Sequence, residues 1–225
     1  MTVQIVTART ADLPPQIAET MGITVVPLTV HFGTETLRDG IDIKPDEFYK
    51  RLELTPTLPT TSQPTVGDFL NSYQELGSSG KGIVAIHISG KLSGTLNSAN
   101  QAKEQYKGGS EIITVDSEIG SIALGLVAIA AKKAANEGYD TNQVAEIARE
   151  TSTRTRFFAL LDTLEYLEKG GRIGKAQAFV GSLLRVKPIL TAKDGAVHPL
   201  ERARSRTKGI DRLLELVNEL SLIHI

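Results

Sequence analysis

Residues 83–88, Ile-Val-Ala-Ile-His-Ile, form an apolar run with a single polar member, and a glycine- and serine-rich loop, Ser89-Gly90-Lys91-Leu92-Ser93-Gly94-Thr95, follows at once. A strand apolar at successive positions must be covered on both faces, which means a parallel sheet between helical layers. The first two thirds of the chain repeat the theme. Residues 3–7 and 112–115 are strand-like, and 24–32 alternates, with Val26, Leu28, Val30 and Phe32 on one face. Helices are predicted from Leu13-Pro14 with Asp12 as cap, over 45–54, after Thr65 with Asp68 completing a capping box, over 96–106, over 121–137, and around Val144 and Ile147. Ligands of such sheets sit beyond the carboxyl ends of the strands. The Ser93 loop leaves one such end and Asp116-Ser117 another.

The pattern changes near Arg154. Residues 157–161 read as a strand, and 187–192, Asp194-Gly195 and 196–201 read as a hairpin with an Asp-Gly turn. Helices are predicted over 163–169, 175–184 and 205–220. The fold expected is therefore α/β: a parallel sheet with helices on both faces over residues 1–154, then a smaller α+β domain with antiparallel strands over 155–225.

Composition removes several classes of function. Lys and Arg number 25 against 26 Asp and Glu, a net charge of −1 that gives no general attraction to nucleic acid or an anionic membrane. With no cysteine in 225 residues, disulfides, thiolate zinc sites and thiol catalysis are excluded. His31, His87 and His198 lack metal-ligand spacing, so no metal and no cofactor is expected. The apolar run over 122–131 is too short to span a bilayer and is read as a buried helix, so no stable membrane insertion is expected. The start, Met1-Thr2-Val3-Gln4, carries no secretory pattern, and the cytoplasm is expected.

Two hydroxyl-rich segments stand out: Pro59-Thr60-Thr61-Ser62-Gln63-Pro64 and the Ser93-Gly94-Thr95 loop. A hydroxyl at a strand-to-helix junction donates to an oxyanion while the helix amides and dipole point the same way. Each also has a plainer reading, the first as a turn before a capped helix and the second as a helix cap. Gly170-Gly171 reads as a helix C-cap flanked by Lys169 and Arg172, and Arg202, Arg204, Arg206 and Lys208 read either as a ligand-facing cluster or as a solvated helix entry balanced by Glu201.

These segments, with Val115-Asp116-Ser117, Leu164-Glu165-Tyr166-Leu167-Glu168-Lys169-Gly170-Gly171-Arg172-Ile173, Lys187-Pro188-Ile189-Leu190 and Arg202-Ala203-Arg204, occur in an order that resembles the DegV family over nearly the whole chain. The resemblance implies a protein, not itself an enzyme, that encloses a long-chain fatty acid between two domains and presents its carboxylate to a fatty acid kinase subunit for acyl-phosphate formation. It implies that Thr61 and Ser93 hydrogen-bond the carboxylate, that Ser62, Gly94 and Thr95 shape the pocket, and that Arg172 and Arg202 lie toward the kinase-facing or phosphate-facing side, Arg202 among the ligand-binding residues and Arg172 facing the partner. Apolar residues 180–184 are expected to line the tail.

Two departures accompany it. The family's Asp-Ser opening is replaced by Ala8-Arg9 ahead of Thr10-Ala11-Asp12-Leu13, trading an acid for a cation near the sheet's ligand edge. Family members also continue into a strand-rich segment carrying a histidine. The chain is accordingly expected to be an incomplete copy with an incomplete second domain, its last six residues, Leu220-Ser221-Leu222-Ile223-His224-Ile225, matching the translation of a transposon-end sequencing adapter. The alternative function is a serine hydrolase with Ser93 as nucleophile, although no G-x-S-x-G elbow surrounds it. A nucleotide-binding domain is disfavoured because neither G-x-G-x-x-G nor a P-loop occurs.

Overall fold

A computed structural model describes residues 2–78, 82–180 and 186–221. They form two compact units that divide after Thr155. The first is built on a parallel sheet of β1 (Gln4–Ala8), β2 (Ile23–Val26), β6 (Ile83–His87) and β7 (Ile112–Asp116), ordered β2-β1-β6-β7. All five residues of β6 are buried, as an apolar central strand requires. On one face pack α3 (Val66–Gly77) and α4 (Thr95–Gln105), closing a core of Val6, Ala8, Phe69, Tyr73, Ala85 and Ala99. On the other pack α5 (Ser121–Glu137) and α6 (Thr141–Arg154). Helix α1 (Pro15–Met21) lies against the edge strand β2.

Residues 24–32 are not one strand. Pro27 cannot donate a ladder bond, and the run breaks there into β2, in the parallel sheet, and β3 (Thr29–Phe32), in a second sheet. That sheet is antiparallel, ordered β4-β3-β5, with β4 (Glu35–Arg38) and β5 (Thr60–Ser62), so antiparallel pairing is not confined to the second unit. Helix α2 (Pro45–Leu54) follows β4, and its Phe48 meets Phe32 edge-on at 5.8 Å. The capping box forms as predicted: Thr65 Oγ1 accepts from the Asp68 amide while the Thr65 amide donates to Asp68.

Asp12 does not cap α1. It sits in the left-handed region (φ 48°) at the end of a 3-10 turn over Arg9–Ala11, and its carboxylate accepts from the Ser121 hydroxyl at 2.7 Å. It therefore ties the turn after β1 to the start of α5. Gly125 of α5 completes that contact, since a Cβ there would lie 2.6 Å from the Ala11 carbonyl. Gly125→Val is expected to destabilise the protein by about 1–3 kcal/mol through overpacking, measured by urea unfolding; an unshifted midpoint would show that the turn yields freely.

The second unit carries an antiparallel sheet, β10-β9-β8, from β8 (Phe158–Leu160), β9 (Lys187–Lys193) and β10 (Ala196–Ala203). The Asp194-Gly195 turn has both residues at positive φ (50° and 73°), as a two-residue hairpin loop demands. Helix α7 (Glu165–Lys169) and a 3-10 segment (Gly174–Phe179) surround a small core of Leu164, Ile173, Ala176 and Leu190. The helix expected over 175–184 is replaced by this 3-10 segment as far as Phe179, and residues 181–185 lie outside the described residues. Gly171 is at φ 72° where a helix end needs it. Helix α8 (Arg206–Ser221) turns Gly209 and Leu216 inward, while Ile210, Leu214 and Val217 are exposed.

Candidate functional site

The loop after β6 is held by backbone and carboxylate contacts. The Ser89 carbonyl accepts the amides of Leu92 and Ser93, and the Ser89 amide donates to Ile119 of the loop after β7. Asp116 accepts from the amides of Gly90 at 3.3 Å and Glu118 at 2.9 Å, and the Ser117 hydroxyl donates to the His87 carbonyl at 2.7 Å. The two strand ends singled out from the sequence are thus tied together at the carboxyl edge of the sheet.

Ser93 follows within this frame. Its Oγ accepts from the Thr95 amide at 3.3 Å and lies 2.9 Å from the Thr95 hydroxyl. Thr95 is fully buried at the first position of α4. Either hydroxyl can donate in this pair, and in the sense in which Thr95 donates, Ser93 keeps its own proton for a ligand. The helix has Gly94 as its N-cap and no side-chain cap bond, in contrast to the self-capped α3. Its amino end therefore retains a partial positive charge that suits an anion, with the first amide, that of Thr95, taken by Ser93.

Thr61 lies not on a loop but in the middle of β5, paired with Val30 of β3, and is exposed. Among the described residues no group hydrogen-bonds its hydroxyl. Side chains alternate along a strand, so Thr60 and Ser62 leave one face while Thr61, and Gln63 just beyond the strand, leave the other. Gln63 packs over Gly94: a Cβ at Gly94 would lie 2.7 Å from Gln63 Nε2. The two hydroxyl segments, some thirty residues apart in the chain, thereby meet at Gln63 and Gly94. The Ser62 hydroxyl instead lies 2.9 Å from His31 Nε2, and His31 Nδ1 lies 3.1 Å from the Thr36 hydroxyl. Sequence reasoning had passed over His31, because its partner is distant in the chain and no local pattern marks the pair.

Arg9 is not aimed at the hydroxyl segments. It pairs with Asp39 at 3.9 Å and lies against Gly40, in a cavity of about 460 Å³ beside β2 that neither Thr61 nor Ser93 lines. Burial pushes the Asp39 carboxyl up, and Arg9 partly opposes that shift. Arg202 and Arg172 belong to the second unit. The Arg202 guanidinium stacks 4.2 Å from the Phe179 ring, and Arg172 donates to the Gly170 carbonyl in the cap after α7. Glu201 does not balance the basic run; it receives two bonds from Arg212, and Arg206 pairs with Asp162.

The hydrolase reading gains no support. The partners of the Ser93 hydroxyl are the hydroxyl and amide of Thr95, and among the described residues no imidazole hydrogen-bonds it. His87, one strand end away, is fully buried against Phe69, with ring centroids 4.9 Å apart and neither ring nitrogen partnered by a described protein group. Burial drives its pKa down to about 3, keeping it neutral. No helix among the described residues is long and apolar enough to cross a membrane.

The fold and the two apposed hydroxyl segments define a two-unit α/β protein with an anion-suited edge on its parallel sheet. Comparison with known proteins makes this specific. The chain belongs to the DegV family, described as uncharacterised, whose model matches residues 2–222. A DegV domain-containing protein of Clostridium perfringens is 37% identical over 223 residues, covering 97% of this chain and 78% of the relative. A DegV family protein from Thermus thermophilus, solved in a study of its fatty acid binding, superposes with a TM-score of 0.89 at 36% identity, over 98% of this chain and 78% of that one. A stearic acid-binding protein from Eubacterium ventriosum superposes with a TM-score of 0.85 at 30% identity, over 97% and 76%.

Proposed function

We propose that this protein binds a long-chain fatty acid, with the carboxylate held by the hydroxyls of Thr61 and Ser93 and the amino end of α4. The observation that carries the reading is the packing of Gln63 over Gly94, which sets the Thr61 strand against the Ser93 loop. The fatty acid binding of the Thermus and Eubacterium proteins supports the choice of ligand. Gly94 has the side-chain-free surface that this approach needs, Thr95 orients Ser93 from below, and Ser62 supports β5 through His31 rather than touching the acid. The tail supplies most of the affinity, at about 0.8 kcal/mol for each buried methylene, and the hydroxyls set its orientation.

Holding a carboxylate with neutral donors and no adjacent base suits presentation better than cleavage. The protein is accordingly a carrier that offers the acid to a fatty acid kinase subunit in the cytoplasm, where phosphoryl transfer to a carboxylate oxygen gives the acyl phosphate. Arg202 and Arg172, both exposed on the second unit, are assigned to the phosphate-facing or kinase-facing side. Mass spectrometry of the purified protein, native and then denatured, is expected to release one long-chain fatty acid per chain. Release of only nucleotide or sugar would overturn the reading.

A further inference from the structure

The imidazole of His31 joins all three strands of the small antiparallel sheet, reaching Thr36 on β4 at 3.1 Å and Ser62 on β5 at 2.9 Å. β5 is three residues long, sits at the edge of its sheet and pairs with β3 alone. So short an edge strand has few ladder bonds to fix it, and a cross-strand bond at its last residue bears directly on where its side chains point. Ser62 and Thr61 are adjacent and leave opposite faces. A group that holds Ser62 from one face therefore fixes the direction in which Thr61 leaves the other.

We propose that His31 is a positioning residue for the acid-binding hydroxyl of Thr61: through Ser62 it pins β5 so that Thr61 faces the Ser93-Gly94-Thr95 loop. This rests on the carboxylate site proposed above. A neutral imidazole donates through one nitrogen and accepts through the other, so the relay runs in one of two senses. Either Thr36 donates to Nδ1 and Nε2 donates to Ser62, or Ser62 donates to Nε2 and Nδ1 donates to Thr36. In both, β5 is tied to β4 through the ring. Because the ring acts on the placement of a donor to the acid, its loss weakens the grip on the carboxylate and leaves the tail contacts as they were.

The test measures the affinity of octadecanoic acid and of its methyl ester for the delipidated full chain, by displacement of a fluorescent acyl probe. His31→Ala is expected to weaken the acid about 3- to 10-fold, the effect of one hydrogen bond, and to leave the ester unchanged. His31→Gln, whose amide still reaches toward Ser62, recovers part of the loss. The Thr61→Ala/His31→Ala double variant binds no more weakly than Thr61→Ala alone, because His31 acts through Thr61. Additive losses, or equal losses for acid and ester, overturn the positioning role. A loss in Thr61→Ala with none in His31→Ala overturns it while the carboxylate site stands. No loss in Thr61→Ala overturns the site and this inference together. Should His31→Ala fail to fold, His31→Gln and Ser62→Ala carry the same comparison.

Discussion

Replacing both proposed donors, in a Thr61→Ala/Ser93→Ala variant, is expected to reduce affinity for a long-chain fatty acid by about 10²- to 10⁴-fold while the protein remains folded. A hydrogen bond to a charged acceptor contributes about 1.5–3 kcal/mol, and about 1.4 kcal/mol is tenfold in affinity, so each single variant should lose roughly tenfold or more. Neither hydroxyl supports the core. Thr61 is exposed on an edge strand, and Ser93 bonds only locally to Thr95, so the unfolding midpoint should move little. Titration calorimetry with octadecanoic acid, beside a urea unfolding curve, measures both. Equal affinity of the double variant and the parent would place the carboxylate elsewhere.

The second large effect is a loss of stability in mild acid that originates at His87. Its folded pKa, about 3, lies below the ordinary 6.5 because the fully buried ring is kept from water. Between these values the unfolded chain binds a proton that the folded chain does not. Stability is therefore fully present above about pH 6.5 and falls as pH drops toward 3, by up to about 1.4 kcal/mol per pH unit and about 2 kcal/mol by pH 5. His87→Leu removes the proton site and keeps an apolar group against Phe69. Urea unfolding at pH 7.5, 6 and 5 is expected to show the parent losing stability faster than the variant below pH 6.5. Parallel losses would show that His87 takes up its proton in the folded protein.

The same histidine shows how far local pattern reaches. It was legible as part of a buried strand, since β6 is apolar at nearly every position, but nothing local told that its ring would find no partner among the described protein groups. The division of 24–32 was missed because period-two alternation runs straight through Pro27, while the ladder cannot. Strands β4 and β5 carried no readable signal: they are three or four residues long, largely exposed and, apart from Leu37, built of Thr, Ser, Glu and Arg, so neither burial nor periodicity marked them. Asp12 was read as a cap because aspartate favours that position. In the structure, the left-handed turn before α1 turns it instead toward Ser121, 109 residues away in the chain.

By itself the sequence determined the layered parallel sheet, because apolar strands of this continuity have no other stable home, and it determined that the Ser93 loop would stand at a strand end. It also fixed the Asp-Gly hairpin of the second unit, whose two residues tolerate positive φ. Only the tertiary structure decided which of these segments meet. The segment after β5 reaches the Ser93 loop because Gln63 finds the bare surface of Gly94, and the Ser62 hydroxyl goes to His31. Arg9 was taken up by Asp39 and Gly40, far more cheaply than it could remain an unpaired, half-buried cation. Propensity and periodicity act over a few residues, whereas each of these pairings joins segments about thirty residues apart and forms only once the sheets have closed.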